Sequence, residues 1–170
     1  MDFEVSLSIV VPVCDSEARL PLWIEHLEPV VTAYARNFEA VLVNDGSRDR
    51  SWEVICHLAE RYPWVLGISL MRNYGQHNAL LCGIRAARNE VIVTLDGDLQ
   101  NPPEDIPKLL DKLAEGYDVV YNAPEQERHG FWRELASRVT RIPSQGAVGA
   151  QAVNLGRSSV QRRLRHHKIR

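Results

Sequence analysis

Two aspartates one residue apart follow an apolar run and are spaced to hold a metal ion. Asp96 and Asp98 flank Gly97 in the stretch VTLDGDLQNPPEDIP, and Gln100 comes two residues later. In an extended segment, residues two apart point to the same side. The two carboxylates would therefore converge and repel each other unless a cation lay between them. Oxygen ligands suit Mg²⁺, which usually also binds phosphate oxygens. A simple turn at these residues is the alternative.

Polar side chains also follow three other apolar runs. If all the runs are parallel strands, one crevice beyond their carboxyl ends would collect Asp45, Arg72, Asn73, Gln76, His77, Asp96, Asp98 and Gln100. An aspartate such as Asp45 can accept hydrogen bonds from a base or ribose, but Asp-Gly-Ser is also a common turn. Arg72 suits phosphate, although its neighbourhood also fits a helix start with Asn73 as cap. For His77 a structural role is favoured.

The apolar runs that position these residues alternate with helical segments. LSIVVPV, EAVLVND, VLGISLM, EVIVTLD and YDVVYN are continuous apolar or β-branched runs and are predicted strands. Helices are predicted over about residues 20–35, in DRSWEVICHLAERYP with Asp49 or Ser51 as cap, in GQHNALLCGIRAA, and in PEDIPKLLDKLAEG, which Gly116 closes. Pro102 and Pro103 disfavour helix just before them. Repeated β-α-β units predict an α/β domain, a mostly parallel sheet with helices on both faces.

Charge divides the 170 residues into two parts. Residues 1–150 hold all 22 acidic side chains, whereas residues 151–170 hold six basic and no acidic ones. We expect one domain over residues 1–150 and a basic, mostly disordered tail over residues 151–170. An acidic body is not typical of a nucleic-acid binder, so no nucleic-acid partner is expected.

The sequence lacks the signatures of several classes of protein. The sequence has no GxxxxGK[ST] phosphate loop, no GxGxxG after the first strand and no GxSxG elbow, which argues against P-loop enzymes, dinucleotide oxidoreductases and α/β-hydrolases. The three cysteines show no zinc spacing and are expected to be reduced, mostly buried thiols of a cytosolic protein. We expect neither a signal peptide nor a membrane-spanning segment.

Taken in order, the motifs resemble a known family. IVVPV, VNDGSRD, MRNYGQHNALLCGI, TLDGDLQNPPEDIPKLL and EGYDVVYN together resemble the family 2 inverting glycosyltransferases of GT-A fold. The likeness is strongest to the polyprenyl-phosphate glycosyltransferases, the group of dolichol-phosphate mannose synthases and undecaprenyl-phosphate sugar transferases. It covers about residues 5–150.

The resemblance implies a function and a site. The enzymes of this family move a sugar from a nucleotide-diphosphate donor, UDP- or GDP-linked, to a polyprenyl phosphate. By motif, the residues lining the nucleotide-sugar pocket would be Pro12, Cys14, Val43, Asp45, Asp96 and Gly97. Asp98 and Gln100 would hold Mg²⁺ or Mn²⁺ against the diphosphate, with Asp96, Asp98 and Arg72 as the catalytic group. The enzyme would be cytoplasmic, peripheral to the inner face of the membrane.

The sequence also departs from this family pattern. Cys14 stands where an aromatic residue is usual, Ser16 where an acid is usual, and Asn44 where an aspartate is frequent. The stretch EQERHGFWRELASRVTRIPSQGAVGA resembles the family's amphipathic membrane-surface helix, although packing on its own domain or on a second subunit is the alternative. The likeness then stops, which suggests a truncated chain.

Three functions are therefore weighed. The first is a metal-dependent sugar transferase. The second is a catalytically impaired module that only binds a nucleotide sugar. The third is a protein that binds anionic surfaces through its basic tail. A homo-oligomer is left open.

Overall fold

The computed structural model describes residues 5–95, 102–117, 119–122 and 158–162. Within these ranges the chain forms strands and helices in alternation, as the apolar runs predict. In order they are β1 Ser6–Val13, α1 Leu20–Tyr34, β2 Asn37–Asn44, α2 Ser51–Arg61, β3 Val65–Ser69, α3 Gln76–Ala86, β4 Val91–Leu95, a short 3₁₀ helix Pro103–Asp105, α4 Ile106–Ala114, β5 Val119–Asn122 and β6 Ser158–Arg162.

The strands form one sheet in the order β3-β2-β1-β4-β6-β5. The first four strands are parallel, with β1 paired to both β2 and β4 and with β2 paired to β3. Strand β6 runs antiparallel between β4 and β5. The predicted α/β fold with a mostly parallel sheet is therefore confirmed. Since β1 lies between β2 and β4, the loop that follows β1 is central at the carboxyl edge.

Strand β6 corrects the prediction of a disordered tail. That prediction is wrong for residues 158–162, which pair with both neighbouring strands. Val160 is fully buried in the core, and the hydroxyls of Thr94 and Ser159 are hydrogen-bonded at 2.7 Å. Only one large apolar side chain enters the core from this strand, so its sequence lacks the apolar run by which the other strands are recognised. Residues 151–157 and 163–170 lie outside the described ranges.

Helices cover both faces of the sheet, as predicted. Helices α1, α2 and α4 pack on one face over the larger core, while α3 packs on the other over Val10, Val41 and Val43. Apolar residues recur at helical spacing along α1, at Leu20, Trp23, Ile24, Leu27 and Val31. Helix α4 buries Ile106, Leu109, Leu110 and Leu113 in the same way and ends before Gly116, whose φ of +106° is the left-handed conformation expected for a closing glycine.

Helix α3 lies unusually close to the sheet at Gly83. A Cβ built on Gly83 would come within 2.3 Å of Val10 Cγ1 and 3.1 Å of Val43 Cγ2. Both valines are fully buried and β-branched, so neither can turn aside easily. This contact fixes the position of α3, whose first turn borders the cleft described below.

We expect Gly83→Ala to lower the free energy of unfolding by about 1–3 kcal/mol, because the added methyl overpacks the core. Urea unfolding monitored by circular dichroism measures this. The control is Arg85→Ala at an exposed position of the same helix. A Gly83→Ala protein as stable as the wild type would contradict the close approach, since alanine alone favours a helix over glycine.

Candidate functional site

A cleft opens at the carboxyl ends of β1 and β2, beside the first turns of α1 and α3. Its volume is about 430 Å³. This is the edge of a parallel sheet at which ligands of open α/β folds bind. The described residues that line it are Pro12, Val13, Cys14, Asp15, Ser16, Arg19, Asp45, Asn73, Gly75 and Gln76.

One wall of the cleft is held by hydrogen bonds between the loop after β1 and the loop after β2. We call this set of bonds the loop clasp; it joins residues 15–17 to residues 47–51. Asp15 Oδ1 accepts from the backbone N–H of Arg48 at 2.7 Å, and the Asp15 N–H donates to Ser47 Oγ at 3.1 Å. Asp15 has a φ of +46°, a left-handed conformation that aspartate tolerates better than most residues. The clasp thus holds the chain in the bend at Asp15.

The rest of the clasp continues in the same reciprocal way. The Ser16 N–H donates to Ser51 Oγ at 2.8 Å, and the Glu17 N–H donates to Asp49 Oδ2 at 3.1 Å. Glu17 Oε2 in return accepts from the Arg50 N–H at 2.8 Å. Asp49 Oδ1 also accepts from the Ser51 N–H at 2.9 Å, at the first residue of α2. Side chains of each loop therefore satisfy backbone N–H groups of the other loop.

Asp45 lies at the base of the cleft and is 3% exposed. Its backbone N–H donates to the Val13 carbonyl at 2.8 Å, which ties the end of β2 to β1. Its Oδ1 accepts from the backbone N–H of Tyr74 at 2.7 Å, which ties β2 to the loop before α3. Asp45, a lining residue of the cleft, thus joins the ends of β1 and β2 to the loop before α3.

Gly46 allows the loop after β3 to approach this point. A Cβ on Gly46 would lie 2.3 Å from the Asn73 nitrogen and 2.5 Å from the Arg72 carbonyl carbon. Its φ of +65° is also unfavourable for a side chain. Next to it, Asn44 donates from Nδ2 to Ser69 Oγ at 3.0 Å and accepts at Oδ1 from the Ser47 N–H at 3.2 Å. Asn44 therefore has a structural role that uses both ends of its amide.

Cys14 is exposed and lines the cleft. Cys56 and Cys82 are only partly buried, so the expectation of mostly buried cysteines is wrong. The Cys14 Sγ accepts a hydrogen bond from Asn73 Nδ2 at 3.5 Å. Burial, followed by the negative charges of Asp15 and Asp45, raises the pKa of the Cys14 thiol, and the bond from Asn73 opposes this only in part. The thiol is therefore protonated at neutral pH and is a neutral group in the wall of the cleft.

Arg72 lies on the loop before α3. Its guanidinium carbon is 4.9 Å from the centre of the Tyr74 ring, a cation–π contact. Asn73 Oδ1 accepts from the Gly75 N–H at 3.0 Å in the turn before α3. The N-cap residue of α3 is Gly75 and no side chain caps the helix, so the expected cap at Asn73 is wrong.

The structure sorts the predicted site residues into three groups. Pro12, Cys14, Asp45, Asn73 and Gln76 line the cleft. Arg72, His77 and Val43 are not among its described lining residues, and Val43 is fully buried under α3. Asp96, Gly97, Asp98 and Gln100 lie outside the described residues.

Three of the lining residues, Val13, Ser16 and Gly75, were not predicted, and two charged ones, Asp15 and Arg19, were also missed from the sequence. The two charged residues follow the first strand, at the edge where ligands bind in such folds, and that position was the available signal. As for a metal centre, the described part of the chain brings no three His, Cys, Asp or Glu side chains together. Nor does it contain a helix long and apolar enough to cross a membrane.

The family model for glycosyl transferase family 2 matches residues 8–165. The chain belongs to glycosyltransferase family 2. The match agrees with the predicted family and extends past residue 150 to include β6.

A curated relative of this family member is the undecaprenyl-phosphate 4-deoxy-4-formamido-L-arabinose transferase of Pseudomonas paraeruginosa. The two are 43% identical over 151 residues, which cover 88% of this chain and 44% of the relative. The chain therefore spans less than half the length of that protein.

Solved structures show the same fold at lower identity. Glucosyl-3-phosphoglycerate synthase from Mycobacterium tuberculosis superposes with a TM-score of 0.66 at 20% identity, over 93% of this chain and 58% of that one. A mannosyltransferase from Pyrobaculum calidifontis, in complex with GDP-Man and Mn²⁺, has a TM-score of 0.56 at 23% identity, over 70% and 35%. The expected GT-A fold is confirmed.

The loop clasp predicts a specific acid sensitivity. Burial raises the pKa of Asp49, but hydrogen bonds from the Ser51 hydroxyl and from the N–H groups of Glu17 and Ser51 outweigh it, so the pKa is lowered from 3.8. The stabilisation is present above pH 3.8 and is lost as the pH falls through the lower folded-state pKa. We expect Asp49→Asn to destabilise the protein at pH 6, with the difference from wild type shrinking below pH 3.8. Urea unfolding across this range measures it.

The control for Asp49→Asn is Asp111→Asn, at an exposed position of α4. Its difference from wild type should stay small at every pH. A pH-independent effect of Asp49→Asn would mean that the Asp49 charge does not hold the clasp.

Gly46 and Gly75 form a matched pair for testing the loop contact. Both have positive φ, but only Gly46 has backbone atoms in the space of a Cβ. Alanine at either position carries the cost of the strained backbone, about 1–3 kcal/mol. We expect Gly46→Ala to lose clearly more unfolding free energy than Gly75→Ala in urea titrations. Equal losses would show that the loop after β3 can move away from Gly46.

Proposed function

We propose that this chain binds a nucleotide-diphosphate sugar, UDP- or GDP-linked, in the cleft. The observation that carries the proposal is the place of Asp45, which presents a carboxylate to a cleft at the carboxyl edge of the parallel strands. One of its oxygens holds the Tyr74 N–H. The other is proposed to accept a hydrogen bond from the base. Family membership and the neighbour that was solved with GDP-Man support this assignment.

The metal is proposed to lie beyond β4. Asp96 directly follows Leu95, the last residue of β4, and β4 pairs in parallel with β1 next to the cleft. Asp98 and Gln100 offer carboxylate and amide oxygens, the donor set that Mg²⁺ or Mn²⁺ takes. A bound cation there would stabilise negative charge on the departing nucleotide. The Mn²⁺ in the Pyrobaculum mannosyltransferase complex supports the choice of ion.

For the whole protein we propose sugar transfer to a polyprenyl phosphate, as the name of the Pseudomonas relative suggests. An oxygen of the acceptor phosphate would attack the anomeric carbon. The bond from that carbon to the diphosphate would break, so that the nucleotide diphosphate leaves with the electron pair and the configuration inverts. A phosphate nucleophile needs no general base. We place this reaction at the inner face of the cytoplasmic membrane.

A second candidate function is a module that binds the nucleotide sugar without transferring it. One observation favours it. Cys14 presents a neutral thiol at the cleft, where the family usually has an aromatic ring. Incubation with a UDP-sugar and with vesicles that contain a prenyl phosphate distinguishes the two candidate functions. Only a transferase forms a glycolipid and releases UDP.

Calorimetric titration of UDP and then GDP, with Mn²⁺, Mg²⁺ or EDTA, tests the nucleotide site. We expect one nucleotide to bind in the presence of metal. Asp98→Ala should weaken this binding at least tenfold, an effect of roughly 1.4 kcal/mol or more. Asp111→Ala, at an exposed position of α4, is the control. If a folded wild-type chain bound neither nucleotide, the proposed function would be rejected for this chain. Metal-independent binding would remove the role of Asp98.

A further inference from the structure

The cleft carries one cationic side chain among its described lining residues, and this residue is Arg19. The same lining includes the carboxylates of Asp15 and Asp45. A nucleotide diphosphate is itself an anion, so these carboxylates oppose its entry. The cleft therefore needs a positive group where the phosphates lie, in addition to any cation beyond β4.

The backbone of Arg19 has a fixed position. Its N–H donates to the Ser16 carbonyl at 3.0 Å, and its own carbonyl accepts from the Trp23 N–H at 3.0 Å. Ser16 is in turn held by Ser51 through the loop clasp, while Leu20 is fully buried. The first turn of α1 thus presents Arg19 to the cleft from an anchored backbone.

Arg19 is the residue before the first turn of α1, where the helix dipole disfavours a cation. The guanidinium does have the geometry that binds a phosphate through two parallel hydrogen bonds.

The strand order places Arg19 between the two ends of the proposed ligand. Asp45 follows β2, Arg19 follows β1, and β4 ends on the other side of β1. A nucleotide with its base at Asp45 and its leaving oxygen toward the end of β4 must cross the loop after β1. Its phosphates would lie there.

We propose that Arg19 binds a phosphate group of the ligand in this cleft, namely the diphosphate of the nucleotide donor. This inference rests on the proposed function and names a phosphate-binding residue within it. Arg19 takes the role that the sequence suggested for Arg72, whose guanidinium instead stacks on Tyr74.

Parallel titrations with UDP and uridine test Arg19, because uridine has the base and ribose but no phosphate. We expect Arg19→Gln to weaken UDP binding roughly tenfold, as for loss of a charge-assisted hydrogen bond. Uridine affinity should change less than twofold. Arg19→Lys, which keeps the charge but not the forked geometry, should fall between wild type and Arg19→Gln. Arg48→Gln, an equal change of charge on the neighbouring loop, should leave both affinities unchanged.

Titration with geranyl phosphate distinguishes the source of the phosphate. If Arg19→Gln weakens the binding of geranyl phosphate and leaves the UDP affinity unchanged, the bound phosphate is that of the acceptor. The assignment to the donor is then overturned. Equal losses for UDP and uridine would indicate a structural role, and no loss for any ligand would reject the proposal. A loss of UDP affinity in Arg72→Gln without one in Arg19→Gln would return the role to Arg72.

Failure of the proposed function can be told apart from failure of this inference. If the wild type binds neither UDP nor GDP, the nucleotide site is rejected. Inorganic pyrophosphate in EDTA then tests Arg19 on its own, by nuclear magnetic resonance titration of wild type and Arg19→Gln. Pyrophosphate binding that Arg19→Gln abolishes would support an anion site, and identical titrations would overturn it.

Discussion

The candidate site depends on the way the loops after β1 and β2 satisfy each other's backbone. These loops leave the sheet side by side, because β1 and β2 are paired in register from Ser6 to Val13. The backbone N–H groups of these loops need partners other than those a helix or strand would supply. The side chains of Asp15, Glu17, Ser47, Asp49 and Ser51 supply them across the gap. This clasp turns two irregular segments into one rigid wall of the cleft and positions Cys14 and Arg19.

Asp45 connects the loop after β3 to the ends of β1 and β2. Its bonds to the Val13 carbonyl and the Tyr74 N–H connect the ends of β1, β2 and the loop after β3. Asp45 is 3% exposed, and the Tyr74 N–H donates to its carboxylate, which offsets part of the cost of losing water. The group proposed to recognise the base therefore also shapes the cleft, so structural and binding roles cannot be separated at this residue.

The carboxylates of the cleft favour a ligand that binds together with a cation or beside a cationic side chain. Two carboxylates line the described part, and two more aspartates follow β4 in the sequence. An anionic nucleotide is repelled by such a surface unless cations compensate. A divalent cation and the guanidinium of Arg19 would do so at different points along the diphosphate. This division of charge fits a leaving group that gains negative charge as its bond to the sugar breaks.

The sequence by itself determined the strands and helices before residue 123 and the edge of the sheet at which the candidate site lies. Continuous apolar runs that end in polar residues predict buried strands of a parallel sheet. This pattern can be read from neighbouring residues alone. Only the tertiary structure decided the pairing of β6 and which side chains reach the cleft. Strand β6 forms because its backbone completes a gap between β4 and β5. Val43 is buried and Arg72 stacks on Tyr74, whereas Arg19 reaches the cleft. These outcomes depend on the strand order and on contacts between residues far apart in the chain.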